Sequence, residues 1–463
     1  MTLITSISGI RGTIGGVAGE GLTPLDAVKF ASAYAEWIIR NSGKTGPKVI
    51  LGRDARISGP MIEQLVSGAL MGMGVHVVNI GLATTPTVEV AVPKLQADGG
   101  IILTASHNPK QWNALKLLNG KGEFLSASDG EEILDIAGAG ALEYCGVDAI
   151  GSVTVDDHMG SFHIDQVLEL PLVDVPAIRE AGFRVAIDCV NSVGGIILPA
   201  LLTRLGVKEV IQLHCDPNGQ FPHNPEPLPE NLVDISGVMK ETDADVGFVV
   251  DPDVDRLAIV CEDGSMFGEE YTLVAVADYV LGETPGCTCS NLSSSRALRM
   301  VTEQHGAIYH ASAVGEVNVV EKMKSEGCVI GGEGNGGVIY PELHYGRDAL
   351  VGIALFLSFL AKKKVSCSTL RKSYPSLEMI KQKIELTPET DVDKILESLQ
   401  AAYKDEQHTT IDGLKIDFQD GWVHLRKSNT EPIIRIYSEA QDRKQAERLV
   451  KDILDQVKKI TSA

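Results

Sequence analysis

The feature that most constrains this chain is a run that occurs three times: an apolar strand, a polar loop, an amphipathic helix, a glycine and a second apolar strand. It starts at Lys48-Val-Ile-Leu51, passes through a helix over 61–71 and resumes at Gly74-Val-His-Val-Val78. It recurs from Arg184-Val-Ala-Ile187 through 197–205 to the strand 207–211 that follows Gly206. A fainter copy runs from Cys287 through 295–304 to Gly306-Ala-Ile-Tyr309. Each copy reads as a βαβ unit, so the expectation is an α/β protein with several similar domains in tandem. At 463 residues the chain has room for them, since length alone suggests roughly three to four domains. Near residue 370 the texture changes. Charged helical stretches at 391–403 and 443–459 flank an alternating strand pattern from Trp422 to Tyr437, which reads as a separate α+β domain.

A hydrophobic share of 44% and a charged share of 22% are those of a globular protein with no sign of disorder. Lysine plus arginine number 41 against 62 aspartates and glutamates, a net charge of −21. Such a surface repels nucleic acid and anionic membranes, so any phosphate must be held by locally concentrated cations. Met1-Thr-Leu-Ile-Thr-Ser6 has no basic region followed by an apolar core, which makes the cytoplasm the expected location. The apolar stretch 349–361, interrupted by Gly352 and Ser358, is too short to span a bilayer and reads as a buried helix. The basic run Lys362-Lys363-Lys364 reads as its solvated end. Of the eight scattered cysteines only Cys287-Thr-Cys289 forms a close pair, without a second pair at zinc spacing, so buried free thiols are expected.

In α/β sheets ligands collect at loops that follow strands, and four such loops stand out. Thr104-Ala-Ser-His-Asn-Pro109 follows Gly100-Ile-Ile-Leu103 and exposes Ser106 at a strand end. A serine is a weak nucleophile without help, and a structural turn at Asn108-Pro109 explains the loop equally well. Asp251-Pro-Asp-Val-Asp-Arg256 follows Val246-Gly-Phe-Val-Val250. Residues at i, i+2 and i+4 of extended backbone point the same way, so Asp251, Asp253 and Asp255 converge, and oxygen-only ligation suits magnesium or manganese. A calcium loop with Glu262 at its twelfth position is the rival, but Arg256 stands where that loop needs glycine. Gly331-Gly-Glu-Gly-Asn-Gly-Gly337 contains a formal dinucleotide fingerprint, yet Val338-Ile-Tyr-Pro341 follows instead of a helix. A sugar hydrogen-bonded by Glu333 and Asn335 fits better. Arg426-Lys-Ser-Asn-Thr-Glu-Pro432 has the makings of a phosphate cradle, with a polar hairpin turn as the alternative.

Together these residues resemble the α-D-phosphohexomutase superfamily, which includes phosphoglucomutases, phosphomannomutases and phosphoglucosamine mutases. Ser8-Gly-Ile-Arg-Gly12 looks like its N-terminal phosphate-contacting motif, 104–109 its phosphoserine loop, 251–256 its metal loop and 426–432 its phosphate loop. The resemblance covers nearly the whole chain. It implies a heart-shaped arrangement of three related α/β domains and a smaller α+β domain, here 1–150, 151–256, 257–368 and 369–463. It also implies Mg2+ at Asp251, Asp253, Asp255 and the Ser106 phosphoryl group, and catalytic roles for Ser106, Lys116, His107 and Arg11. Arg256, Glu333, Asn335 and Gly336 would bind substrate, and Arg426, Ser428, Asn429, Thr430 and Arg435 the distant phosphate. Two departures stand out. The sugar loop usually reads glutamate-x-serine-glycine-histidine and here has Asn335 and Gly337, a form similar to the archaeal phosphoglucosamine mutases. The loop Val314-Gly-Glu-Val317 lacks the usual basic residue.

The implied reaction interconverts hexose 6- and 1-phosphates through phospho-Ser106 and a hexose 1,6-bisphosphate, which also serves as activator. Glucosamine phosphate leads as substrate, and glucose and mannose phosphates stay open. A metal-dependent sugar phosphatase and a non-catalytic sugar-phosphate binder are the alternatives. The expected partner is a small hexose phosphate rather than nucleic acid or membrane, with the chain a monomer or a dimer.

Overall fold

A computed structural model describes residues 2–6, 9–385, 391–427 and 433–461. All three repeats fold as expected. The strands Lys48–Arg53 and His76–Leu82 are parallel and joined by the helix Gly59–Gly72. Arg184–Asp188 and Glu209–Leu213 are parallel and joined by Gly194–Leu205. Thr288–Asn291 and Tyr309–Ser312 are parallel and joined by Arg296–Gln304. Local chemistry sets the helix ends. Ser295 caps the third helix by accepting from the Ala297 amide, and Gly206 ends the second at φ 85°, where a side chain would be strained.

The chain divides into two compact units. The first comprises residues 1–272 and 336–368. Its larger sheet runs in the order Leu3–Ser6, Gly9–Thr13, Trp112–Leu118, Gly99–Leu103, Lys48–Arg53, His76–Leu82, Val153–Val155. Helix Pro24–Ser42 is fixed at its start by a Thr23–Asp26 capping box and buries Phe30, Tyr34, Trp37 and Ile38 in that sheet's core. In the smaller sheet the order is Leu257–Cys261, Val246–Val250, Arg184–Asp188, Glu209–Leu213. All five residues of Val246–Val250 are buried, which explains its unbroken apolar sequence, and it delivers the chain straight into Asp251.

Ala349–Lys363 is the buried helix expected from its composition: its residues 349–361 are buried, and Lys362 and Lys363 lie exposed in its last turn. Phe356, at its centre, meets Phe248 and Phe267 edge to face, at centroid distances of 6.1 and 5.3 Å.

In the second unit, residues 273–335 and 369–463, Thr288–Asn291 runs parallel to both Tyr309–Ser312 and Ile330–Glu333. The C-terminal part is an antiparallel sheet in the order Glu378–Glu385, Ile433–Ala440, Gly421–Lys427, Leu414–Phe418, Gln407–Thr409. The amphipathic helices Val392–Ala402 and Arg443–Thr461 share its hydrophobic core, so the α+β expectation holds. The alternating pattern at 422–437 resolves into two antiparallel strands. All eight cysteines are free thiols, five of them buried and Cys145, Cys215 and Cys287 partly exposed. No helix among the described residues is long and apolar enough to cross a membrane.

The aromatic contacts at Phe356 predict a measurable weak point. Phe356→Ala should remove about 3–5 kcal/mol from the unit that holds it. Urea unfolding followed by circular dichroism should show this as an earlier first transition.

Candidate functional site

Strand ends in the first unit bring most of the sequence candidates to one place. Ser106 follows the all-buried strand Gly99–Leu103 and sits at φ 47°, a left-handed conformation rare for a serine. Its Oγ donates to Asp251 Oδ2 at 2.7 Å. Asp251, Asp253 and Asp255 each have 0% of their surface exposed, and one oxygen from each falls within 4.8 Å of the others. Val254 between them takes φ 62°, which folds the loop so that the carboxylates converge.

Their partners come from distant parts of the chain. Asp253 Oδ2 accepts from Thr85 Oγ1 at 2.6 Å and from Lys116 Nζ at 2.7 Å. Asp255 Oδ2 accepts from Lys116 at 3.3 Å and from Arg347 at 2.7 Å. Asp251 Oδ1 takes the backbone amides of Asp255 and Arg256, both at 3.2 Å. Asp253 Oδ1 and Asp255 Oδ1 are left buried with no hydrogen-bond partner, a costly state for a charged oxygen. Burial and then the charges of Asp253 and Asp255 push the Asp251 carboxyl well above the usual range. Three buried carboxylates with two orphaned oxygens and no sulfur or imidazole among the donors fit a hard divalent cation. Glu262 does not join them, as a calcium loop would require. Its oxygens accept from the Ser368 amide and hydroxyl at 2.9 and 2.5 Å.

Cations surround this nest. Burial lowers the Lys116 pKa, but the charges of Asp253 and Asp255 outweigh it and leave the ammonium more firmly protonated than an ordinary lysine. Arg11 stands opposite Ala114 in the neighbouring strand and so shares a sheet face with Lys116. Its pKa is lowered by burial and then by the charge of Arg256. His107 is held well below its ordinary pKa by burial and by Arg256, and is neutral at physiological pH. Its Nδ1 makes no hydrogen bond, and the Nε of Arg256, also without one, stands 4.0 Å from Asp255 Oδ1.

Two arginines were not singled out from the sequence. Arg347, 7% exposed, is the first. The second is Arg56, fully buried, with Nε 2.9 Å from Asp54. Its remaining nitrogens donate to the carbonyls of Ser106, Asn108, Pro109 and Trp112 at 2.5, 2.7, 2.8 and 2.9 Å. Asp54 also accepts from Thr104 Oγ1 at 2.7 Å, so one ion pair holds both ends of the serine loop. The available signal was Arg53-Asp-Ala-Arg56 at the end of an apolar strand.

Gly336 also belongs to the first unit, where its carbonyl accepts the Leu257 amide at 3.0 Å. The other candidates lie in the second unit. Glu333, 5% exposed, accepts from Asn291 at 2.8 Å and from Asn335 at 3.4 Å. Arg426 and Arg435 face each other across adjacent strands, which brings two guanidinium-bearing residues to one register position. Asp412 is 3.2 Å from Arg426 and also accepts the Val314 amide at 2.9 Å, which ties the 314–317 loop to the arginine pair. Ser428, Asn429 and Thr430, and Ser8 of the first motif, lie outside the described residues.

A serine hydroxyl beside three buried carboxylates, with lysine and arginine around them, is an arrangement suited to metal-assisted group transfer. Sequence comparison specifies the group. Residues 4–142, 161–264 and 268–377 match the alpha/beta/alpha domains I, II and III of phosphoglucomutase/phosphomannomutase, and 383–456 match its C-terminal domain. A probable phosphoglucosamine mutase of Methanopyrus kandleri is 34% identical over 98% of this chain and 97% of its own. A phosphoglucomutase/phosphomannomutase of Thermococcus kodakarensis is also 34% identical, over 94% and 95%. The crystal structure of a phosphoglucomutase/phosphomannomutase family protein from Burkholderia thailandensis superposes with a TM-score of 0.85 at 27% identity, covering 99% and 97% of the two chains. The chain belongs to the phosphoglucomutase/phosphomannomutase family, within the α-D-phosphohexomutase superfamily. It is a phosphohexomutase, an isomerase that works by phosphoryl transfer.

Arg56→Lys would keep the charge but lose the fork that reaches four carbonyls. Turnover should fall about 100-fold through misplacement of the serine loop. Steady-state kinetics should place the loss in kcat, with little change in KM.

Proposed function

We propose that Ser106 is the phosphorylated relay of a phosphoglucosamine mutase. The observation that carries this reading is the 2.7 Å contact between Ser106 Oγ and Asp251 at the cation nest. Asp251, Asp253 and Asp255, with the phosphoryl oxygens on Ser106, would hold one Mg2+. That ion supplies charge neutralisation for the phosphoryl group in transit.

Phospho-Ser106 gives its phosphoryl group to the free hydroxyl of a hexose monophosphate. The P–O bond to serine breaks as the bond to the sugar forms, and the proton lost by the sugar hydroxyl is matched by one taken up at Ser106 Oγ, directly or through a nearby acid–base group. The 1,6-bisphosphate reorients and returns its other phosphate to Ser106. Added hexose 1,6-bisphosphate would phosphorylate a resting enzyme in the same way. Arg11, Arg256 and neutral His107 offer donors to the phosphoryl oxygens, and Arg56 fixes the loop from behind. Lys116, pinned between two carboxylates, is suited to stabilise charge and, once a cation relieves it of them, to exchange the proton. Glu333, Asn335 and Gly336 would read the sugar, and the Arg426–Arg435 pair with the loop from Ser428 to Thr430 would hold the phosphate that is not transferred.

The amino-sugar preference rests on the Asn335 and Gly337 form of the sugar loop and on the similarity to the Methanopyrus protein. Domain limits at 1–150, 151–256, 257–368 and 369–463 are part of the proposal; the matched segments agree in number and order of domains, but the second and third run on to 264 and 377. A cytoplasmic setting follows from a substrate class of soluble sugar phosphates.

Three measurements test this reading. Phosphorus NMR with Mg2+ and a trace of hexose 1,6-bisphosphate should show glucosamine 6-phosphate isomerised faster than glucose or mannose 1-phosphate. Equal or slower conversion would move the assignment to a general hexose phosphomutase, and inorganic phosphate without isomer would point to a phosphatase. Ser106→Ala should take up no label from labelled bisphosphate, and persistent labelling would sink the relay. Asp253→Asn, or chelation of the metal, should lower turnover by at least about 100-fold. Mg2+ should restore the chelated enzyme but not the variant.

A further inference from the structure

Far from the aspartates in sequence, the second unit carries a group of side chains that phosphoryl transfer leaves unused. Cys287 stands just before the strand Thr288–Asn291, Cys328 two residues before Ile330–Glu333, and His310 second in Tyr309–Ser312. Cys289 pairs with His310 across the parallel strands. Alternate residues of a strand share a face, so Cys287 and His310 come to the same side of the sheet. There the Cys287 and Cys328 sulfurs lie 3.1 Å apart, closer than a passive contact and far longer than the ~2.05 Å of a disulfide. A ring nitrogen of His310 and the two sulfurs all fall within 4.8 Å of one another.

The helix Glu316–Glu326 ends over this cluster. Its Gly327 cap at φ 68° turns the chain directly into Cys328. Glu326 contributes twice: its carbonyl accepts from the Cys287 thiol at 3.4 Å, and its Oε2 lies 3.8 Å from His310 Nε2. The other carboxylate oxygen is held by Lys322 at 2.7 Å. Two thiols and an imidazole therefore converge at the starts of three strands, with the Glu326 carboxylate beside the imidazole at the helix end.

We propose that Cys287, Cys328 and His310 bind a zinc-class divalent cation, leaving the fourth position to solvent or to Glu326 beside His310. The donor set is the soft one such ions prefer, with tetrahedral ligands at about 2.0–2.3 Å. The aspartate nest offers only oxygen, so the two sites select different ions. A thiol pair destined only for oxidation has no need of the histidine and carboxylate beside it. Binding replaces the two thiol protons, which leave to solvent, and ties together the starts of three strands. Asn291 and Glu333 stand at the far ends of these strands, so the expected effect is on stability rather than turnover.

The test uses full-length reduced protein freed of metal by chelation, with the aspartate site then saturated with Mg2+. One equivalent of Co2+ should produce a sulfur-to-metal charge-transfer band and intense tetrahedral visible absorption, both lost on adding Zn2+. The melting temperature should rise with Zn2+. Cobalt bound at the aspartates has only oxygen ligands and gives no sulfur band, so the two sites are read separately. Cys287→Ser should lose the band, His310→Ala should weaken it, and Cys145→Ser, in the first unit, should keep it. Isomerase turnover in Cys287→Ser should match the wild type. Absence of the sulfur band in reduced wild type, or its survival in Cys287→Ser, would overturn the proposal. So would formation of a 287–328 disulfide as the cluster's only chemistry.

Discussion

The mutual repulsion of Asp251, Asp253 and Asp255 is the constraint around which the first unit is organised. Three carboxylates removed from water cannot stand together unless cations and donors are brought to them. Those partners lie far apart in the sequence: Thr85, Ser106, Lys116 and Arg347. The loop can hold its shape only when the segments carrying them have folded and met. Charge compensation thus does the work of a core contact. The orphaned oxygens of Asp253 and Asp255 show where this compensation stops short, and a divalent cation fits that remainder.

Arg56 solves the complementary problem. A serine in a left-handed conformation at a strand end is intrinsically poorly held. A guanidinium that donates to four carbonyls between Ser106 and Trp112 and is itself neutralised by Asp54 fixes the backbone of the serine loop. Phe221, with its ring centroid 5.1 Å from the guanidinium, covers one side of the clamp.

The parts of this centre that could be read in the sequence are those with local periodicity. Alternate carboxylates after an apolar strand, a serine at the next strand end, and helices marked by glycine stops all depend on residues a few positions apart. Arg347, Thr85 and Arg56 are different, since nothing near them in the chain identifies their partners. The cysteine cluster was missed for the same reason. Cys287-Thr-Cys289 drew attention as a close pair, but the sulfur that meets Cys287 belongs to Cys328, 41 residues away, and parallel pairing brings them together. Arg426 and Arg435 fall between the two cases: both strands are visible as alternation, but only the register makes the charges face each other.

Gly336 limits how a protein of this design can change. A β-carbon there would lie 2.4 Å from the Leu257 carbonyl oxygen, on a backbone already at φ 85°, so every side chain is excluded. Because its carbonyl also receives the Leu257 amide, the end of the sugar loop is sewn to the residue that follows Arg256. Change in this loop is thereby left to the neighbouring positions 335 and 337. Those two stand on either side of an immovable pivot, so under the proposed reading a change of sugar could be made there without disturbing the three aspartates.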